Sequence, residues 1–116
     1  MRLGFHGKIW LVLGATDMRN SINGLSALVA DRLEMDIFSG HLFVFCNKNR
    51  TIIKIMYWDR TGFCLWHKRL EKDRFFWPRS EREVLEMEYS QLTWLLDGLD
   101  PVATRGHPVL RYSSVI

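Results

Sequence analysis

Two strand-like runs joined by the turn sequence "DRTG" constrain the fold more than any other feature of the chain. "TIIKIMYW" at residues 51–58 and "FCLWHKRL" at residues 63–70 are rich in the β-branched and aromatic residues that favour strands. Asp59 stands at the first turn position and Gly62 at the fourth, which is typical of a type I turn followed by a glycine bulge. We therefore predict a β-hairpin over residues 51–70.

The bulge would fix which side chains share a face, because a shift of one residue turns every side chain over. With the bulge at Gly62, Trp58 would pair with Cys64, and Lys54 would pair with Lys68. The aliphatic face would then carry Ile53, Ile55, Tyr57, Phe63 and Leu65. The opposite face would place two indole rings between two ammonium groups, and its members would be Lys54, Met56, Trp58, Cys64, Trp66 and Lys68. A turn of even length would instead mix the two faces.

Two interpretations of this second face are open. Ammonium groups contact phosphates and flat rings stack on bases, so an exposed face of this kind fits nucleic acid. Alternatively, the helix predicted at residues 21–34 covers the face, the tryptophans belong to the core, and the lysine stems lie along its rim. Packing accounts more readily for the rings, whereas a polyanionic partner accounts better for the run "HKRLEKDR" at residues 67–74.

The rest of the chain predicts an α+β fold. Strands interrupted by two helices favour a mainly antiparallel β-sheet meander with two helices packed on it. The other predicted elements are strands at residues 8–13, 41–46 and 74–78, helices at residues 21–34 and 90–100 (the latter capped by Ser90), and a polar connection or edge segment at residues 78–88. We expect residues 1–100 to form a single α+β domain and residues 101–116 to form a C-terminal tail.

Charge is distributed unevenly along the 116 residues, although the formal net charge is only +3. Residues 46–82 carry ten Lys or Arg against four acids, whereas residues 83–100 carry five acids and no Lys or Arg. Residues 1–45 are balanced at four of each sign. A field divided in this way indicates association of the basic segment with a polyanion, and it points toward nucleic acid.

The cysteines and the N-terminus indicate a cytoplasmic protein. Cys46 and Cys64 lie in apolar, strand-like contexts without further clustered Cys or His, so we expect two buried thiols in a reducing compartment. The N-terminal apolar run "IWLVLGAT" ends at Asp17 and is too short for a signal peptide or a spanning helix. We expect no membrane partner.

No pattern of catalytic or metal-ligating residues stands out. The candidate carboxylates for a divalent metal show no specific spacing, and they are Asp17, Asp31, Glu34, Asp36 and Asp59. We therefore expect no cofactor, no metal and no catalytic residue, and metal-dependent cleavage ranks last among the functions considered. Asp17 and Arg19 in "TDMR" either form a local ion pair that fixes the loop or form a phosphate clamp in which Asp17 orients Arg19.

Taken in order and spacing, several motifs resemble the small accessory protein family TnpB (Orf2-like) of the insertion sequence 66 (IS66) class of bacterial transposons. The motifs span residues 9–100 and are "TDMR", "GL" at Gly24 and Leu25, "DIFSGHLFVF", "NKNRTIIKI", "WDRTGFCLWHKRLE", "RFFWP" and "QLTWLLDGLD". This family is distinct from the RNA-guided nuclease of the same name. The matching positions include Asp17, Arg19, Gly40, Asp59, Gly62, Lys68, Arg69 and Trp77.

The resemblance implies a role in DNA transposition beside a separate, larger transposase that carries the strand-transfer chemistry, and it brings no established catalytic residue. We therefore predict an accessory protein that binds the DNA of transposon ends through a basic, aromatic hairpin surface. The candidate DNA-binding residues are Arg19, Lys48, Arg50, Lys54, Trp58, Trp66, Lys68, Arg69, Lys72 and Arg74. The alternative is a protein-interaction adaptor, in which "EREVLEMEYS" at residues 81–90 or the tryptophan face docks onto the transposase or onto a second copy of the chain.

Overall fold

The structure, a computed structural model, describes residues 7–101 and consists of a five-stranded sheet with helices on both faces. The strands are β1 (Ile9–Val12), β2 (Leu42–Cys46), β3 (Ile52–Asp59), β4 (Gly62–Arg69) and β5 (Val84–Met87). The helices are α1 (Ile22–Ala27), which continues as a π-helical turn (Leu28–Arg32), and α2 (Tyr89–Leu96). The strands lie side by side in the order β4-β3-β2-β1-β5.

The sheet confirms the predicted α+β class and is mainly antiparallel. The exception is the pair β1 and β2, which run parallel with Ile9 opposite Leu42, because the chain crosses over through α1 between them. The carboxyl ends of β1 and β2 therefore lie at the same edge of the sheet. The loop that follows β1 is bonded to the end of β2 there, since the backbone N–H of Thr16 donates to the carbonyl oxygen of Cys46 at 2.9 Å.

Apolar side chains cover both faces of the sheet. On one face α2 contributes Leu92 and Leu95, and on the other α1 and the π-helical turn contribute Leu25 and Val29. The central strand, Leu42–Cys46, is buried along its whole length because its alternating side chains enter both clusters. Each fully buried aliphatic or aromatic side chain stabilises the fold by roughly 1.5–3 kcal/mol, so the two clusters supply most of the favourable free energy of folding.

The N-cap of helix α2 lies two residues before the predicted one. Glu88 rather than Ser90 is the N-cap, and it forms a capping box with Gln91 in which each side chain bonds the other residue's backbone N–H. The helix ends where Gly98 adopts a left-handed φ of +81°. The sequence predicted a helix in this region, over residues 90–100, and the structure confirms that a helix forms there.

The strand predicted at residues 74–78 is wrong. Phe75 is buried there, and its N–H donates to the carbonyl oxygen of Arg50, while the N–H of Trp77 donates back to the carbonyl oxygen of Phe75. The bond from Trp77 to Phe75 closes a tight turn, and the bond from Phe75 to Arg50 is an isolated link between two segments rather than part of a strand ladder. The edge strand that pairs with β1 is β5, which forms later in the chain. It lies within residues 78–88, which the sequence predicted as a polar connection or edge segment.

The predicted register of the hairpin is also wrong. Asp59 pairs directly with Gly62, so the loop has two residues, and Arg60 rather than Gly62 takes the left-handed conformation, with a φ of 50°. In this register Trp58 pairs with Phe63, and every side chain of β4 lies on the opposite face from the one predicted.

The predicted register is wrong because β3 is apolar on both of its faces. Ile53 and Ile55 face the α2 side, while Met56 faces the α1 side, so hydrophobic alternation along β3 does not select one register over the other. The two-residue loop sends Phe63 and Leu65 to the α1 side beside Met56. The predicted face with two indoles between two ammonium groups therefore does not form.

Residues 7–101 contain no helix with the length and hydrophobicity of a membrane-spanning segment. The C-terminal tail predicted for residues 101–116 lies, apart from Pro101, outside the described residues.

Candidate nucleic-acid interface

Several chain segments meet at the edge of the sheet where β1 and β2 end. The turn between β2 and β3 is bound to the connection after β4, because the N–H of Leu70 donates to the Thr51 carbonyl at 2.8 Å and that of Phe75 to the Arg50 carbonyl at 2.7 Å. This edge brings together cations that are distant in sequence. We call it the basic end, and its cations are Arg19, Lys48, Arg50, Lys54, Lys68, Arg69, Lys72, Arg74 and Arg79.

The turn after β2 is held rigidly by Asn47. The side-chain oxygen of Asn47 accepts the backbone N–H groups of Thr51 at 2.8 Å and Ile52 at 3.0 Å, and its carbonyl oxygen accepts the N–H of Arg50. Arg50 has a positive φ of 62°, a conformation that the surrounding hydrogen bonds hold in place. The turn therefore presents Lys48 and Arg50 from a fixed backbone.

A groove of about 250 Å³ lies at the basic end, between the turn after β2 and the segment at residues 77–80. Its cations are Lys48, Arg50 and Arg79, and its full lining is Gly14, Ala15, Asn47, Lys48, Arg50, Trp77, Pro78, Arg79 and Ser80. No carboxylate is among these described lining residues. Three positive side chains without a counter-charge make this groove attractive to an anion.

A second groove of about 190 Å³ adjoins the first and shares Arg50, Trp77 and Pro78 with it. Phe76 lines this smaller groove, and half of its surface is exposed (51%). Asp100 and Pro101 close its other side. The two grooves together run from an exposed aromatic ring to a cluster of cations.

Most cations of the basic end have no partner of opposite charge among the described residues. Lys48, Lys72, Arg74 and Arg79 are exposed, and Arg50 is half-buried. Within residues 7–101 none of these five forms an ion pair. Their charges are therefore available to an external anion.

Arg19 and Arg69 differ, because each is paired with a nearby acid. Arg19 binds Asp17 through two nitrogens, with the closest contact at 2.5 Å, and Arg69 binds Glu71 at 3.2 Å. The hydrogen bonds from Arg19 lower the pKa of Asp17 to about 2. The ion pair that the sequence allowed in "TDMR" is present, and the Arg19 side chain is 91% exposed.

Lys54 and Lys68 make internal contacts. The Lys54 ammonium donates to the carbonyl oxygens of Met18 at 2.8 Å and Asn20 at 3.0 Å, which fixes the loop before α1. The Lys68 ammonium donates to the Leu96 carbonyl at 2.7 Å, at the carboxyl end of α2, where the helix carries partial negative charge. The two lysines lie on opposite faces of the sheet and do not pair, since Lys54 is opposite His67.

The two tryptophans of the hairpin are also separated by the sheet. Trp58 lies on the α1 side, where its ring contacts Phe38 and Phe63 with centroid distances of 5.1 Å each. Trp66 packs against the cluster on the α2 side. Trp58 is four residues along β3 from Lys54, about 13 Å away, so it belongs to the opposite edge of the sheet.

The sequence analysis missed Phe76, Pro78 and Arg79 as members of a candidate site. Arg79 was visible as part of the basic segment, but its proximity to Lys48 depends on the bond between the backbones of Phe75 and Arg50. No local signal shows that Phe76 faces outward while its neighbour is buried.

The cysteines and the other potential metal ligands of residues 7–101 do not form a second site. Burial raises the pKa of Cys46 to about 12, so its thiol stays neutral and acts as a core side chain, as expected; Cys64 is half-buried. In the part of the chain that the structure describes, no three His, Cys, Asp or Glu side chains come together as a metal ion would require.

Comparison with known proteins identifies the family. The model of the family described as IS66 Orf2-like protein matches residues 7–106. Similar proteins include two from Sinorhizobium fredii. Uncharacterized protein y4hO is 35% identical over 97 residues, which is 84% of each chain, and Uncharacterized protein y4jC is 33% identical over 108 residues, 93% of this chain and 92% of the relative. No solved structure gives a significant match. The chain therefore belongs to the IS66 Orf2-like family (TnpB_IS66), which implies an accessory role associated with transposition.

Proposed function

We propose that this protein assists transposition by binding the DNA of the element's ends through the basic end of its sheet. The observation that carries the proposal is the groove in which Lys48, Arg50 and Arg79 meet with no carboxylate among its described lining residues. Cations that lack a protein partner bind phosphates by releasing the counterions of DNA, which makes the association favourable and salt-dependent.

The structure divides the candidate residues by how directly they can contact phosphate. Lys48, Arg50, Lys72 and Arg74 are without ion pairs among the described residues, so they contact phosphates directly. Arg19, clamped and oriented by Asp17, does so through its exposed face.

The remaining candidates act less directly. Arg69 must exchange Glu71 for phosphate. Lys54 and Lys68 add positive potential while their ammonium groups hold carbonyl oxygens. Trp58 and Trp66 pack on opposite faces, and the proposal does not need them to stack on bases.

Binding to duplex DNA from the element's ends, followed by fluorescence anisotropy across salt concentrations, tests the proposal. About five phosphate contacts predict a log–log slope of affinity against salt near −4.5. Lys48→Glu and Arg79→Glu should each weaken binding and reduce the slope by about one. Arg60→Glu is the matched control, because it makes the same charge change at the hairpin loop, on the opposite edge of the sheet. A flat salt dependence, or equal effects of all three variants, would remove the proposal.

A second candidate, an adaptor for the separate transposase, is favoured by an aromatic patch at the hairpin-loop edge. Phe38 is 57% exposed and contacts the rings of Trp58 and Phe63, which is the composition of an interface centre. The acidic segment at residues 81–90, which includes the edge strand β5, offers a further docking surface. Co-purification with the transposase after nuclease treatment, lost in Phe38→Ala but retained in Phe76→Ala, would support this role. Recovery of a homodimer alone would assign the patch to self-association.

A further inference from the structure

We propose that the two adjoining grooves bind single-stranded DNA, with an unpaired base on Phe76 and the neighbouring phosphates on Arg50, Lys48 and Arg79. This inference rests on the proposed DNA-binding function and adds to it the form of DNA that is preferred.

The position of Phe76 is fixed from both sides. Phe75 is buried to 99% and its N–H is bonded to the Arg50 carbonyl, while the N–H of Trp77 returns to the Phe75 carbonyl at 3.0 Å. With its predecessor anchored in the core, Phe76 projects outward and leaves half of its surface in water. An apolar ring held in solvent by a fixed backbone is available for stacking without further ordering of the chain.

The ring is placed among cations. Four large hydrophobic side chains are exposed within residues 7–101, namely Phe38, Phe76, Tyr89 and Leu99. Of these, only Phe76 lines a groove together with Arg50, and Arg50 also lines the groove that contains Lys48 and Arg79. A strand that stacks one base on Phe76 would therefore carry its adjoining phosphates toward these three charges.

This arrangement favours a single strand over a duplex. Bases in a duplex present their edges in the grooves, and their faces are already stacked on neighbouring base pairs. Binding sites for single strands combine a positively charged groove with aromatic rings that stack on the exposed faces of bases. Phe76, lining a concave surface, can contact a base face only when that base is unstacked.

The experiment compares four probes by fluorescence anisotropy at fixed salt: a 12-nucleotide single strand of mixed sequence, its duplex, an abasic strand of the same length, and a polyglutamate peptide. The abasic strand keeps the phosphates and removes the bases, so it isolates stacking. We expect the single strand to bind at least about fivefold more tightly than the abasic strand and more tightly than the duplex, because stacking of one base contributes about 5- to 100-fold in affinity.

Variants separate the ring from the charges. Phe76→Ala should lose about 5- to 100-fold in affinity for the single strand and leave duplex binding unchanged, whereas Phe76→Tyr should retain single-strand binding. Phe38→Ala is the matched control, since it removes an exposed ring at the opposite edge. Thermal unfolding of each variant shows whether the fold is kept, and Phe76→Tyr provides the informative comparison if Phe76→Ala unfolds.

The outcomes also distinguish this inference from the proposed function. Salt-dependent duplex binding with no effect of Phe76→Ala on the single strand would overturn the inference alone. Absence of binding to every nucleic acid would overturn both. Binding of polyglutamate as tightly as of the single strand would show an anion site without a role for the base, which also contradicts the inference.

Discussion

The backbone N–H of Phe75 donates to the carbonyl oxygen of Arg50 at 2.7 Å, and together with the bond from Leu70 to Thr51 it links the connection after β4 to the turn between β2 and β3. The side chain of Phe75 is buried in the cluster on the α2 side, so the link is reinforced by packing. Since Phe76 and Trp77 follow immediately, the groove depends on this anchor for its shape.

Phe75→Ala should therefore destabilise the protein strongly. Removing a fully buried phenylalanine costs about 3–5 kcal/mol, because apolar contacts are lost and a cavity remains. Phe76→Ala, which alters an exposed ring, should change the free energy of unfolding by less than about 0.5 kcal/mol. Urea denaturation of the two variants measures the difference, and similar losses for both would contradict the assignment of Phe75 to the core.

Lys68 donates a hydrogen bond to the carboxyl end of α2, so we expect its replacement to lower the free energy of unfolding. Lys68→Met keeps the aliphatic stem but removes the donor to the Leu96 carbonyl, so it should destabilise the protein by about 1 kcal/mol. Lys72→Met, at an exposed site without an ion pair among the described residues, should be within about 0.5 kcal/mol of the parent protein. Denaturation midpoints of the two variants test this prediction. For DNA affinity we expect the reverse order, with Lys72→Met weakening DNA binding more than Lys68→Met.

The backbone conformation of the two-residue hairpin loop predicts how substitutions to and from glycine change the stability of the protein. Arg60 holds a φ of 50°, so Arg60→Gly should relieve backbone strain and stabilise the protein by up to about 1 kcal/mol. Gly62→Ala should be tolerated or slightly stabilising, because Gly62 does not have a positive φ and an added Cβ would meet open space. If Gly62 instead formed a glycine bulge with a positive φ, Gly62→Ala would destabilise the protein. Gly40→Ala, at a φ of 85°, serves as the destabilising reference in the same thermal unfolding assay.

The ion pair of Asp17 with Arg19 predicts a stability change confined to acidic pH. Because the pKa of Asp17 is lowered from 3.8 to about 2, the contribution of the ion pair is present above about pH 4 and is lost as the pH falls through about 2. NMR titration of the carboxyl group should give a midpoint near 2, and Arg19→Gln should move it back toward 3.8. A midpoint unaffected by Arg19→Gln would show that the guanidinium does not hold this carboxylate in solution.

Local sequence patterns predicted much of the fold because most elements have a strong signal. β1 to β4, α1 and α2 follow from apolar runs and from stop signals such as Gly98. The parallel pairing of β1 with β2 could not be predicted, since it depends on which strands meet across the sheet. "RFFWP" has the residue composition of a strand, but Arg50 binds its backbone in a turn.

The sequence predicted the candidate site only in part, because local patterns do not report contacts between residues that are distant in the chain. The excess of Lys and Arg in residues 46–82 points to Lys48, Arg50 and Arg74, which the structure brings to one edge, and their role in DNA binding stays a prediction. The hairpin register failed because both sides of β3 are apolar, and with it failed the placement of the tryptophans. Whether a lysine is exposed or bonded to a carbonyl, as Lys54 and Lys68 are, depends on distant residues that no local pattern reports.

The eight-residue length of β3 separates the turn at its start from the hairpin loop at its end by about 26 Å. Under the two proposed roles, a nucleic acid at one end of β3 and a protein at the other would not overlap. The length of β3 would then set the distance between the two proposed partners.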